Sequence, residues 1–248
     1  MHTPTASQLL QVWERGAERS VAASCLWLLG ISCDECQPEA LAKLPLGQRD
    51  GLLLRLRMQL FGAQMQTVAW CPQCQAMVEA AFDCGDLLAV QETSEPMPLF
   101  ELALDDRSSV ARFRLPDSTD LLALEGCNDA VQAREMLLKR CVVEIETRAM
   151  GGGQGTQLSV ELQVQIALAM AAADPQADLQ LAFTCPNCAH RWEPAFDIAH
   201  FLWQELHAWA LRTLRDVDLL ARVYHWSEAD ILALSPRRRQ AYLEQCVS

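Results

Sequence analysis

Residues 185–197 read CPNCAHRWEPAFD. A Cys-x-x-Cys turn followed by alternating polar and apolar residues is the pattern of one zinc-ribbon knuckle with a strand leaving it. Such a turn presents two sulfurs to one ion. A structural Zn²⁺ site takes four ligands, with thiolates at about 2.3 Å. The stretch is therefore half of a site.

The other half stands 114 positions upstream. Residues 71–88 read CPQCQAMVEAAFDCGDLL and residues 185–202 read CPNCAHRWEPAFDIAHFL. Cys71 aligns with Cys185, Pro72 with Pro186, Cys74 with Cys188 and Glu79 with Glu193. Ala81-Phe82-Asp83 aligns with Ala195-Phe196-Asp197, and Leu88 with Leu202. One hairpin has been repeated. Two turns meeting tip to tip complete a Cys₄ set, so Cys71, Cys74, Cys185 and Cys188 are the predicted metal ligands and a structural Zn²⁺ the predicted cofactor. The arms can then pair or pack with pseudo-twofold symmetry. Residues 75–184 become an insertion whose ends the metal pins, offsetting the entropy of closing a long loop. The separation is far too long for an ordinary ribbon, so the repeat carries the assignment and the spacing does not. Two rival readings are independent turns with buried or free thiols, and a redox pair. Redox chemistry favours a Cys-x-x-Cys at a helix N-terminus, and both turns lie between strand-like runs.

Other candidate ligands are weaker. Cys33 and Cys36 share the spacing, in a loop between helices where Asp34 and Glu35 oppose thiolate charge. His190 reads as an exposed strand residue, and Cys25, Cys84, Cys127 and Cys141 as small core residues.

The predicted fold is α+β and mainly α-helical, with two zinc-knuckle β-hairpins forming a split Cys₄ zinc ribbon around a helical insertion. Residues 1–66 hold N-terminal helices, the first read over 7–30 with Ser7 as its cap, where Leu10, Trp13 and Ala17 share a face that drifts slightly to Val21 and Leu28. A second helix follows Pro45, with a stripe of Leu52, Leu53, Leu56 and Leu60 ended by Gly62. Residues 67–90 are the first hairpin. Residues 91–178 form an inserted, mostly helical subdomain: a strand ended by Pro116, a helix capped at Asp117 or Ser118, a helix over 130–145, and a helix with a Leu162, Ile166, Met170 stripe stopping at Asp174-Pro175. Residues 179–198 are the second hairpin. Residues 199–248 are C-terminal helices, with a break expected near 215 and caps at Ser227 and Ser235.

The chain of 248 residues is 51% hydrophobic and 21% charged, with a net charge of −12. An acidic chain of this kind is poorly suited to neutralising phosphates, so no nucleic-acid partner is expected. The excess acid suits a basic protein surface. The N-terminus carries charges where a signal peptide needs an apolar core. No apolar run reaches the roughly 18–20 residues of a membrane helix. A cytoplasmic chain with no membrane partner is the expectation, and its eleven cysteines read as ligands or small hydrophobes rather than disulfides.

No catalytic residue is predicted. A four-thiolate site keeps no open position for water. His-Glu-x-x-His, Gly-x-Ser-x-Gly and Walker patterns are missing. GGGQG at 151–155 reads as a linker, and Asp105-Asp106 as a solvated turn. No small-molecule substrate is expected, and the chain reads as a binding protein rather than an enzyme. Trp203, Trp209, Tyr224 and Trp226 read chiefly as core, with one or two as candidate partner anchors. Arg237, Arg238 and Arg239 read as a solvated helix face.

A family resemblance adds to this. Residues 216–244, DVDLLARVYHWSEADILALSPRRRQAYLE, join an apolar helix to an aromatic-Trp-Ser-Glu cap, Ile-Leu-x-Leu, Arg-Arg and Tyr-Leu. With LPLGQRDGLLLRLRMQLFG (44–62) before a Cys-Pro-x-Cys hairpin, and FRLPDSTDLLAL (113–124), the chain resembles the T4-type baseplate hub assembly chaperones of contractile phages and phage-tail-like injection systems. Cys33 and Cys36 are not part of that pattern. The resemblance implies a non-enzymatic protein that binds baseplate hub or wedge subunits during assembly. A permanent baseplate component is the alternative within that system. A zinc-ribbon nucleic-acid adaptor, and behind it a metal-dependent hydrolase, are the alternatives from other classes.

Overall fold

The computed structural model describes residues 1–33, 37–88, 98–103, 109–147 and 159–246. The fold is α+β: helices predominate, and the strands form small antiparallel sheets. The chain divides into two compact units, Met1–Pro38 with Ile198–Ser248, and Glu39–Asp197.

In the first unit, the helix expected over 7–30 is two helices, α1 (Ala6–Gly16) and α2 (Val21–Ile31). The cap of α1 is Thr5 rather than Ser7, because Gln8 three residues on completes a capping box with it. Ser20 then accepts the Ala23 amide and starts α2 afresh. The C-terminal segment supplies α8 (Ile198–Tyr224), α9 (Glu228–Ala233) and α10 (Pro236–Cys246). Helix α8 runs unbroken through the expected break near 215. Its buried stripe of Leu206, Ala210, Thr213, Val217 and Leu220 keeps helical spacing, with no glycine or proline to interrupt it. Helix α1 approaches α8 so closely that a Cβ on Gly16 would lie 2.1 Å from the Trp203 ring. Trp13 Nε1 donates to His207 Nδ1 at 2.9 Å.

Ser227 caps α9 by accepting the Asp230 amide. Ser235 accepts the Arg238 amide at the start of α10. Tyr224 stacks on Trp226, and Tyr242 meets both rings edge to face, against Val217, Leu220 and Ile231. These aromatics close the C-terminal helices together, as the core reading expects. The arginine run is not uniformly solvated: Arg237 and Arg238 are exposed, while Arg239 is buried and its charge faces Asp216.

The second unit opens with α3 (Pro38–Ala42), which begins on the last residue of the first, and α4 (Leu46–Phe61). The buried face of α4 is Leu53, Leu54, Leu56 and Arg57, with Leu52 and Leu60 half-buried. Arg57 is inside because its guanidinium donates to the carbonyls of Gly62 and Gln64, at 2.7 and 2.8 Å. It thereby fixes the turn from helix to strand. Gly62, at φ 89°, ends the helix.

The hairpin β1 (Gln64–Trp70) and β2 (Met77–Asp83) follows. The insertion contains more sheet than its sequence predicts. Strands β3 (Phe100–Ala103), β4 (Ser109–Phe113) and β5 (Val142–Thr147) form an antiparallel sheet in the order β3-β4-β5. Helices α5 (Ser118–Ala123), α6 (Ala130–Cys141) and α7 (Val160–Ala173) accompany it. The helix expected over 130–145 stops at Cys141, and the β-branched Val142 and Val143 open β5. Ala111, Phe113 and Leu115 pack with Leu138, Cys141, Ile166 and Met170. Cys25, Cys84 and Cys141 are buried, but Cys127 is only partly so. It lies in the turn between α5 and α6, its thiol directed at the Asp129 carbonyl.

Two polar anchors hold the insertion. Asp120, fully buried, accepts two bonds from Arg114 at 2.6 and 2.8 Å and one from Arg140 at 2.7 Å. Desolvation would raise its pKa, but the two guanidiniums and the Asp117 amide hold it below the usual carboxylate range. Asp174, just past α7, accepts the Gly47 amide at 2.9 Å and so caps α4 from a distant part of the chain. A Cβ on Gly47 would fall 1.8 Å from that carboxylate. Among the described residues no helix is long and apolar enough to cross a membrane.

Beside this cap, burial pushes the Asp50 carboxyl up to about 6; Arg49 opposes the shift, and Asp197 and Asp174 add to it. A carboxyl raised in the folded chain binds its proton more tightly there than when unfolded. Folding stability is therefore lost as pH rises from about 4 to about 6. Asp50→Asn should remove that limb. Between about pH 4 and pH 6 the urea midpoint should fall in wild type and stay level in the variant.

Candidate metal centre

Each knuckle is built by its own backbone. In the first, the Cys71 amide donates to the Ala76 carbonyl and the Gln75 amide to the Cys71 carbonyl, both at 2.9 Å. In the second, the Cys185 amide donates to His190 and the Ala189 amide to Cys185, again at 2.9 Å. These are the same bonds displaced by the repeat. Gln75 and Ala189, the residues after the second cysteine of each turn, both sit in the left-handed region at φ 59°. That twist turns the chain back on itself so that the two sulfurs of each turn point the same way.

The register repeats as well. Trp70 pairs with Met77 and Ala69 with Val78 in the first hairpin; Thr184 pairs with Arg191 and Phe183 with Trp192 in the second. The Gln66–Ala81 pair returns as the isolated bridge Gln180–Ala195. The second ladder, β6 (Phe183–Thr184) and β7 (Arg191–Trp192), is shorter. Pro194 stands where the first hairpin has Ala80, and it has no amide to donate. The Leu181 amide still reaches the Pro194 carbonyl.

The two hairpins meet about a pseudo-twofold axis. Phe82 and Phe196, equivalent under the repeat, touch edge to face with centroids 6.1 Å apart. Cys71 Sγ lies 3.6 Å from Cys188 Sγ, and Cys74 Sγ lies 3.5 Å from Cys185 Sγ. The repeat converts the first of these contacts into the second. All four sulfurs lie within 4.8 Å of one another. A tetrahedron with metal–sulfur bonds of about 2.3 Å has edges of about 3.8 Å, so the four could hold one ion. Among the described residues this is the one group of three or more His, Cys, Asp or Glu side chains placed to do so.

The electrostatics favour a cation here. The His190 amide works to lower the Cys188 pKa, yet desolvation and the neighbouring sulfurs of Cys74, Cys71 and Cys185 push it up to about 12. Cys185 moves to about 7: desolvation opposes ionisation, but the amides of Cys188 and Asn187 and the neighbouring thiols outweigh it. Protons alone therefore cannot leave all four sulfurs ionised at once. A divalent cation can, and the Ala76 and His190 amides that donate to Cys74 and Cys188 spread the remaining negative charge.

His190 is not part of the group; its ring stacks on Trp192 with centroids 6.2 Å apart. Cys33 does not join it, and Cys36 lies outside the described residues, as do Asp105, Asp106 and residues 151–155. The sulfur pairing across the hairpins was not legible in the sequence: a twofold axis between the turns would equally allow Cys71 against Cys185 and Cys74 against Cys188, and the folded chain sets the first cysteine of each turn against the second of the other.

A family model described as "T4 bacteriophage base plate protein" matches residues 31–203. No curated protein and no solved structure matches the chain.

An ordinary residue in the left-handed region pays roughly 1 kcal/mol that glycine does not. Glycine in turn loses more entropy on folding. Gln75→Gly and Ala189→Gly should therefore leave the melting temperature unchanged or raise it, while Ala189→Val, β-branched at the same φ, should lower it. Equal losses in the glycine and valine variants would show that neither knuckle adopts this conformation.

Proposed function

The chain belongs to the T4 bacteriophage base plate protein family, and on that premise we propose that it assists baseplate assembly by holding a hub or wedge subunit. Its scaffold is closed by one structural Zn²⁺ on Cys71, Cys74, Cys185 and Cys188. The observation that carries the reading is the convergence of these four sulfurs within 4.8 Å, inside the span that the family model covers. Zinc suits the site because four thiolates in a tetrahedron are its preferred structural ligand set.

The clasp does mechanical work. It ties residue 74 to residue 185, and so fixes the hairpins at both ends of the insertion. A surface held rigid before binding loses less entropy when a partner docks. A four-thiolate site leaves no position for water or substrate, which supports a binding role over catalysis. The net charge of −12 opposes the nucleic-acid adaptor reading.

Two measurements on the purified full chain test this. Metal analysis should give about one zinc per chain, and Cys74→Ser or Cys188→Ser should each abolish it. Retained zinc in either variant would sink the shared site. Co-expression with each baseplate protein should yield a stable complex with a hub or wedge subunit, while finished particles should lack the chain. Stoichiometric presence in finished particles would make it a permanent component instead.

A further inference from the structure

The first hairpin has a face that the clasp does not use. Side chains alternate along a strand, so the β1–β2 register sets Gln64 with Asp83, Gln66 with Ala81, Val68 with Glu79 and Trp70 with Met77 on one side. The opposite side carries Met65, which is fully buried, and the half-buried Thr67, Ala69, Val78, Ala80 and Phe82. On the outward side Trp70 is 62% exposed, Met77 53% and Val68 51%. Scattered exposed apolar residues are ordinary on any surface. Here three adjoin, and one of them is a tryptophan, the residue most enriched where binding energy concentrates.

The position of this patch adds to its meaning. Trp70 directly precedes Cys71, and Met77 begins the strand that leaves the same knuckle. The cross-strand pair therefore stands at the end of the hairpin that the four sulfurs hold in place. Its backbone geometry is set before any partner arrives, which lowers the cost of docking.

Charge selects the occupant. The outward side holds Glu79 and Asp83 and neither lysine nor arginine. Asp83 is engaged by Gln64 Nε2 at 3.1 Å and by the Gly85 amide at 2.7 Å. Glu79 forms no ion pair among the described residues and lies directly opposite Val68, one step along the face from Trp70 and Met77. A second copy of this acidic chain would bring like charge to Glu79. A partner with a basic residue would bring the complement.

We propose that this face docks a baseplate subunit through a segment that sets an apolar side chain on Trp70 and Met77 and a lysine or arginine on Glu79. The inference rests on the assembly role proposed above and names the surface that performs it. In an extended segment, residues two apart stand about 6.8 Å from each other. That matches the step from the Trp70–Met77 pair to the Val68–Glu79 pair. The segment sought therefore has an apolar residue and a basic residue two positions apart.

The test uses the full chain and the purified hub and wedge subunits, with Kd measured at low and high salt. The variants are Trp70→Ala, Met77→Glu and Glu79→Arg, each required to match wild type in metal content and circular dichroism. Leu168→Glu is the control, placed on the outward side of α7, where Leu168 is 66% exposed. Trp70→Ala and Met77→Glu should weaken binding at least tenfold, the scale of a hot-spot loss. Glu79→Arg should weaken it at low salt and much less at high salt. Leu168→Glu should bind as wild type.

If every hairpin variant binds a subunit as tightly as wild type, the hairpin surface is wrong and the assembly role stands. Loss of binding in Leu168→Glu alone would move the surface to α7. A Glu79→Arg variant with wild-type affinity at low salt would remove the basic partner. If no hub or wedge subunit binds the wild type at all, the role and the surface fall together. A dimer of the chain alone that Trp70→Ala dissociates would make a second copy the occupant.

Discussion

A Cys-x-x-Cys turn offers two sulfurs and a tetrahedral site needs four. Two halves of one site stand at opposite ends of a long insertion, and the same hairpin solves the local problem at each end. Bringing residue 74 to residue 185 costs on the order of 4 kcal/mol of loop-closure entropy. Few contacts available to two short hairpins could offset that unaided. The cross-hairpin sulfur contacts, the Phe82–Phe196 edge contact and the shared register all belong to one pseudo-twofold arrangement, so whatever strengthens one half acts on the other.

The symmetry is imperfect, and its imperfection divides the labour. Pro194 truncates the second ladder, whereas the first hairpin keeps seven-residue strands on both sides. Only the first hairpin continues far enough past the knuckle to present a paired apolar and acidic face. The second hairpin spends its aromatics on one another: Phe183 stacks on Trp192, and Trp192 on His190. One copy closes the site, while the other closes it and also displays a surface.

The insertion does not hang from the clasp alone. Asp174 caps α4 through the Gly47 amide, and the Leu46 amide donates to the Pro116 carbonyl. Asp120 gathers Arg114, from the end of β4, and Arg140, from α6. Asp120 is a buried carboxylate satisfied by several donors at once, the condition under which a buried charge holds a structure rather than weakening it. The anchors distribute the constraint, so the sheet and helices between the knuckles have tethers of their own.

What the sequence determined by itself is whatever acts over a few residues. The knuckle turns, the caps at Asp117, Ser227 and Ser235, the glycine stop at Gly62 and the end of α7 at Asp174 are all read from neighbours in the chain. The hairpin repeat was legible because two copies of a local pattern can be compared without knowing where they lie. Tertiary structure decided the rest. Arg239 is buried beside Asp216 from another helix, Arg57 is buried because the chain turns back after α4 to bring the Gly62 and Gln64 carbonyls onto it, and Leu54 is buried because α4 is packed more broadly than its apolar stripe suggests. Val142–Thr147 became a strand because β4 was there to pair with it, and α8 stayed whole because its buried stripe continues without a break. The Thr5 cap, by contrast, is local: Gln8 stands three residues after Thr5, whereas Leu10 stands three after Ser7 and cannot complete a capping box. Propensity and periodicity report what a segment can do alone; burial and pairing depend on what distant residues bring to it. At the cysteine cluster both levels are needed: the sequence names the four cysteines, and only the folded chain sets Cys71 against Cys188 and Cys74 against Cys185.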